Sequence, residues 1–181
     1  MGNSFWTSAN VEPKRKYRFT VEITGTPGNV GVLWFAKGIN KPEISVESTE
    51  HKYMNHKFYY PGTVSWNDVS LTLVDPVSPD AAQMTARMIE ASGYTGPGQL
   101  KGDAPKTNSK ASSVGAVGQV VITVIDSEGN PLEEWRLKNA FITKVAYGEL
   151  AYGDDELSEV TIDFKYDWAE LTAAKSSYWK N

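Results

Sequence analysis

Residues 159–168, EVTIDFKYDW, alternate without a break. Val160, Ile162, Phe164, Tyr166 and Trp168 fall on one parity, and Glu159, Thr161, Asp163, Lys165 and Asp167 on the other. Only an extended backbone, whose side chains point to opposite faces in turn, gathers apolar residues at that spacing onto one surface. The segment reads as a half-buried strand, and four others follow its logic. YRFTVEI at 17–23 alternates, TGTPGN punctuates it, and VGVLWFA at 30–36 reads as its antiparallel partner. In 69–74, Val69, Leu71 and Leu73 alternate with Ser70 and Thr72, and VVITVI at 120–125 is rich in β-branched residues ahead of the turn DSEGNP at 126–131. The expectation is a mainly β chain, an antiparallel β-barrel or sandwich with one flanking helix.

That helix starts after Ser78, a suitable N-cap, with Pro79 at the first helical position and Asp80 against the positive end of the helix dipole. Ala81, Met84, Met88 and Ala91 form a stripe at helical spacing, and Gly93 ends the run. A Met-rich stripe of this kind is core packing. Residues 93–118 carry Gly, Pro, Ser and Lys with no period, which predicts a long flexible loop or a segment ordered by a partner. Strands resume after it, so residues 1–181 read as one domain. Residues 1–16 form an N-terminal arm and 169–181 a C-terminal tail.

Composition removes several function classes. Without cysteine there is no disulfide framework, thiolate metal site or thiol nucleophile. No apolar run approaches the roughly 18 residues of a spanning helix, and the first residues lack the apolar centre of a signal peptide. No membrane partner is expected. A net charge of −4 and a pI near 5.3 make the whole chain a poor electrostatic trap for nucleic acid.

Candidate chemistry thins out in the same way. The two histidines, His51 and His56, are five apart. On one strand they would face opposite sides, and on a helix they would sit about 140° apart at about 100° per residue, so neither geometry converges on one ion. No Gly-x-Ser-x-Gly elbow, phosphate-cradling loop or dinucleotide fingerprint is present. Asp154, Asp155 and Glu156 lie in YGDDELSE, a hairpin turn rather than an acid–base pair. Lys52, His56 and Lys57 interleave with Tyr53, Phe58, Tyr59 and Tyr60, as in surfaces that stack single strands, but Glu43, Glu47 and Glu50 neutralise the patch. No catalytic residue, cofactor or metal is expected.

A different pattern accounts for 43–60. Its even positions include Ile44, Val46, Met54, Phe58 and Tyr60, and its odd positions Ser45, Glu47, Thr49, Asn55 and Lys57. Residues 135–147 read as the partner of 157–168 across YGDDEL, giving a second long amphipathic hairpin. Two such hairpins leave exposed edges, which an assembly can use and a closed ring removes. The odd set, together with Glu159, Thr161, Asp163 and Asp167, would then line a lumen. Ile44, Val46, Met54, Phe58 and Tyr60, with Val160, Ile162, Phe164, Tyr166 and Trp168, would pack against each subunit's own core or its assembly face.

VESTEHKYMNHKFYYPG at 46–62, WNDVSLTLVD at 66–75, the helix and Gly-rich loop that follow, and the closing EVTIDFKYDW resemble the tail tube proteins of T4-type contractile-tailed bacteriophages. The resemblance spans about Tyr17 to Trp168, and YMNHKFYYPG is its most specific piece. It implies a β-barrel with a flanking helix, assembled into hexameric rings that stack as the inner tube of a contractile tail. The implied partners are a sheath protein, baseplate and tail terminator proteins, and DNA in transient passage. The implied place is the virion tail, assembled in the host cytoplasm. An acidic balance suits such a conduit, because a basic wall would bind phosphates and hold the genome. Lys57 departs from that pattern, and Glu47 offsets it. The alternatives are the inner tube of a contractile injection system delivering protein effectors, a monomeric β-barrel ligand binder, and an unrecognised hydrolase.

Overall fold

The computed structural model describes residues 12–25, 31–99, 107–153, 155–173 and 176–179. The alternating segments form strands, and each buries its apolar parity. These are β1 (Phe19–Ile23), β6 (Val69–Val74), β7 (Val120–Ile125) and β10 (Glu159–Lys165). Val21 and Ile23, then Val69, Leu71 and Leu73, then Val120, Ile122 and Val124, and finally Val160, Ile162 and Phe164 all point inward. The other strands are β2 (Gly31–Val32), β3 (Ala36–Ile39), β4 (Ile44–Tyr53), β5 (His56–Trp66), β8 (Pro131–Lys138), β9 (Phe141–Ala146), β11 (Trp168–Ala173) and β12 (Ser176–Tyr178).

Two antiparallel sheets result, one ordered β12-β11-β8-β7-β1-β2 and the other β3-β6-β10-β9, with β4 and β5 paired apart from both. The inward rows of the two sheets make one core, which the helix α1 (Ala81–Ala91) and the helix α2 (Lys110–Val117) close with Met88 and Val117. The apolar run 30–36 is only partly the partner of β1. Glu22 and Ile23 pair with Val32 and Gly31, and the chain then moves to the edge of the second sheet as β3, beside β6.

The long alternating run 159–168 also divides. β10 ends at Lys165, Tyr166 stays buried, and Trp168 opens β11 in the other sheet. Residues 135–147 split in the same place, β8 lying in the first sheet and β9 in the second. Of that stretch only β9 pairs with β10, with Thr161 opposite Ala146. Both crossings meet at one corner, which explains why alternation continues while the sheet changes. Asn139 takes a φ of +54°, the Asp167 N–H donates to the Lys138 carbonyl at 3.0 Å, and the Asp167 carboxylate accepts from Lys110 Nζ and from Asn139 Nδ2 at 2.6 Å. Those hydrogen bonds, from Lys110 first, hold the Asp167 carboxyl below the usual range.

α1 is capped by Asp80 rather than Ser78, the Asp80 side chain accepting from the Gln83 N–H at 2.7 Å. Asp80 competes better because it lies one residue before the first helical turn, while Ser78 precedes Pro79 and lies outside the helix. The buried face is Ala81, Thr85 and Met88, with Met84 packed at its margin and Ala91 exposed. Thr85 reaches the core because its hydroxyl is satisfied by the Ala81 and Ala82 carbonyls.

The aperiodic stretch 93–118 is not loop throughout. It holds a short 3-10 turn at Pro97–Gln99 and α2, while 100–106 lie outside the described residues. α2 forms because Ser109 and Ser112 make a reciprocal capping box and because Ala116 and Val117 are buried. Ser and Gly inside it hide the helical period from the sequence. It stops at Gly118, φ +67°, whose missing Cβ would lie 2.6 Å from the Gly25 nitrogen.

Candidate assembly surface

β4 and β5 run for 10 and 11 residues, an extended ribbon of roughly 30–35 Å at about 3.4 Å per residue. Nearly every residue in it is exposed, including Val46 at 57%, Met54 at 80%, and Phe58, Tyr59 and Tyr60. The expectation that its apolar side packs on the subunit's own core is therefore corrected: within the chain the ribbon stands clear of the core. A two-stranded ribbon leaves a row of backbone donors and acceptors on each outer edge and is marginal alone in water.

Pairing across the hairpin also revises the parity. Ile44 faces Trp66 and Val46 faces Val64, but Ser48 then faces Pro61, so Gly62 and Thr63 share the place opposite Glu47. This bulge adds one residue to β5 and reverses its parity from Pro61 to His56. Phe58 and Tyr60 consequently lie opposite His51 and Thr49, on the face of Ser45, not on that of Ile44 and Val46. Lys57 falls on the other face, beside Lys52 and bonded to Glu50 at 2.9 Å. One face is thus apolar at the base and charged toward the tip, and the other is polar at the base and aromatic toward the tip. Met54 and Asn55 form the turn, with Met54 at φ +53°. Continuous parity was the natural reading because no residue in 43–60 announces a bulge; Pro61-Gly62 just beyond it is the only local signal.

The same turn overturns the histidine geometry. His51 and His56 sit on partner strands and share a face, His56 stacking edge-on against Phe58 at 4.8 Å. Among the described residues, no group of three His, Asp or Glu side chains could hold a metal ion.

At its base the ribbon is fixed firmly. The Asn67 N–H donates to the Glu43 carbonyl at 2.9 Å, and Asn67 Nδ2 to Ser45 Oγ at 3.2 Å. Trp66 packs on Tyr166 (6.1 Å) and on Trp179 (5.6 Å), and Trp179 stacks on Trp135 (6.2 Å). The tail thus contributes a tryptophan to the hairpin base. Burial, followed by the nearby Asp68 charge, pushes the Tyr166 phenol up to about 12, and its oxygen reaches toward the Glu43 backbone without a hydrogen bond of ordinary geometry.

Lys41, three residues before β4, donates to Glu133 at 2.7 Å, and Lys14 and Trp135 complete that carboxylate's partners. Burial pushes Glu133 upward, but the three hydrogen bonds outweigh it and hold the acid at about 2, against an ordinary 4.5. A depressed acid stabilises the fold fully above its unfolded value and loses that contribution as pH falls through the folded one. Glu133→Gln is expected to lower stability at pH 7 by about 2 kcal/mol, the scale of charge-assisted hydrogen bonds at a largely buried group. The gap between variant and wild type should narrow as pH falls from 4.5 toward 2, measured by urea unfolding. A gap independent of pH would show that the ion pairs do not carry it.

The remaining predicted residues divide by sheet. Glu159, Thr161 and Asp163 are half-buried on the polar side of β10, with Asp163 opposite Lys144 and Ser70. Val160, Ile162, Phe164 and Tyr166 are buried, Trp168 is half-buried, and Asp167 is engaged at the corner rather than on the strand face.

No protein-family model matches the chain, and no curated protein does. Solved structures do. A chain of the anti-feeding prophage baseplate aligns over 92% of this chain and 99% of that one, at 15% identity and a TM-score of 0.64. A chain of an extracellular contractile injection system, in the PVC sheath–tube complex in its extended state, aligns over 96% and 100% at 18% identity with the same TM-score. The crystal structure of an Hcp protein aligns over 88% and 96% at 12% identity and a TM-score of 0.51. The protein therefore has the mainly β fold shared by these chains of contractile injection systems and by Hcp.

Proposed function

We propose that the chain is the inner-tube subunit of a contractile tail, forming hexameric rings that stack into a conduit within a sheath. The observation that carries this reading is the β4–β5 ribbon, exposed along its length with apolar or aromatic residues on both faces and two open edges. Neighbouring subunits would pair the edges and cover one face, and the surface facing the channel would include Ser45, Glu47 and Thr49 of the ribbon. Glu159, Thr161 and Asp163 on the polar face of the second sheet would extend it. The likeness to a chain of a sheath–tube complex supports a sheath as partner. Electron microscopy of the concentrated protein tests this: stacked rings are expected, and single particles at every concentration would refute it.

For cargo, DNA in a phage tail is the first reading, since an acidic chain with a polar channel releases a polyanion readily. Delivery of protein effectors is the second, and the contractile injection systems among the structural matches favour it. Glu47→Lys with Thr49→Lys tests the difference. Both residues are exposed on the Ser45 face, so tubes should still form. Asp163 is avoided, because a lysine there would oppose Lys144. A DNA conduit lined by the added cations should eject its genome more slowly at low salt and recover at high salt, as counterions screen the wall. Ejection unaffected at every salt concentration would remove these positions from a DNA channel.

A further inference from the structure

We propose that the open cleft between the two sheets is a receptor for the 147–158 loop of a second copy of this chain. The proposal rests on the tube reading and names a contact within it. The cleft encloses about 750 Å³ where β1 and β7 of one sheet meet β3 and β6 of the other. Lys14, Arg15, Lys16, Arg18, Lys37 and Lys41 line it, a concentration of cations in a chain whose net charge is −4. Glu133 answers Lys14 and Lys41, Glu12 answers Arg18, and Glu159 answers Lys37. Among the described residues, Arg15 and Lys16 have no carboxylate partner, so the cleft keeps a positive excess beside apolar surface from Phe19 and Val124.

The 147–158 loop has the complementary composition. Glu149 and Asp155 are exposed, and Leu150 and Leu157 between and beside them are 92% and 70% exposed. Leucines standing that far into solvent are not seated in their own chain's cleft. Acidic groups would meet Arg15 and Lys16 while a leucine covers the apolar surface. Placement favours a second copy as the occupant. The last residues of the loop reach their own chain's cleft, where the Glu156 charge acts on Lys37, but Glu149 and Leu150 follow β9, and β3 and β9 are opposite edges of the four-stranded sheet. Complementary patches on opposite edges make a head-to-tail contact, which repeats from copy to copy and closes into a ring or continues as a helix.

Charge reversal tests the contact. Arg15→Glu with Lys16→Glu alters the cleft, and Glu149→Lys with Asp155→Lys alters the loop; all four residues are exposed, so unfolding midpoints should stay at the wild-type value. Each double variant alone should lose sedimentable assembly by about tenfold or more, because like charges then face each other across the contact. Mixed in equal amounts, the two carry matching reversed pairs, and assembly should return. Four-fold variants carrying both changes should assemble alone for the same reason. If the wild type forms tubes and both double variants form them equally well, the loop–cleft contact is wrong and the tube reading stands. A wild type that makes only short oligomers, lost and restored by the same exchanges, keeps the contact and overturns the tube. Duplex DNA retained by the wild type and lost by the cleft variant, with assembly unchanged, would assign the cleft to nucleic acid and overturn the proposal.

Discussion

Replacing Ile162 by aspartate is expected to leave no folded protein under native conditions. Ile162 is 0% exposed at the middle of β10, between Leu71 of β6 and Val145 of β9, in the core that both sheets share. A carboxylate there has no partner, and burying it costs several kcal/mol even after its pKa rises. The lost isoleucine packing adds roughly 2–5 kcal/mol. Together these rival the whole stability of an ordinary domain, about 5–15 kcal/mol. Val46→Asp makes the same chemical change with the opposite expected result for folding. Val46 is 57% exposed, so the thermal midpoint should move little, while tubes should fail because the apolar base of the ribbon is spoiled. Circular dichroism melts beside electron micrographs of both variants give the comparison. Loss of folding in Val46→Asp would mean that the ribbon packs on its own subunit after all.

Removing the ribbon should abolish assembly and spare the fold. Ser45 and Ser65 are cross-strand partners, so an Asn-Gly turn can join them directly in place of 46–64. Everything below that cut remains: Asn67 on Ser45, Trp66 on Tyr166 and Trp179, and the β3–β6 pairing. Nothing in the two-sheet core loses a contact of consequence, since the excised residues 46–64 are all exposed. The shortened chain is expected to melt within a few degrees of wild type and to form no tubes at any concentration. Tubes of normal diameter from it would show that the ribbon is not the assembly element. A collapse in the melt would show instead that it braces the subunit.

The contrast between these two experiments marks what could be read from the residues. Local period two located β1, β6, β7 and β10 and chose their buried faces, because burial on one side of a sheet leaves its record at every second residue. Val69, Leu71 and Leu73 need no partner to be identified as inward. The apolar surplus of the ribbon was equally visible. α2 was not, since Ser112, Ser113 and Gly115 interrupt its apolar period and its stability comes from a cap and two buried residues at its end. The resemblance of YMNHKFYYPG and its neighbours to tail tube proteins pointed to the fold that the structural comparison then found.

The sequence by itself determined that β1, β6, β7 and β10 are extended and which side of each is apolar, for these follow from the alternation of the backbone. Tertiary structure decided which sheet each strand joins and which face each hairpin residue occupies. One extra residue opposite Glu47 sends Phe58 and Tyr60 to the face of Thr49, and one hydrogen-bonded corner at Asn139 and Asp167 passes the chain between sheets without disturbing its period. Both are long-range events: a bulge is defined by the partner strand, and the corner by groups 28 residues apart in the chain. Local pattern cannot encode them, because the energy that selects them arises only when the partners meet.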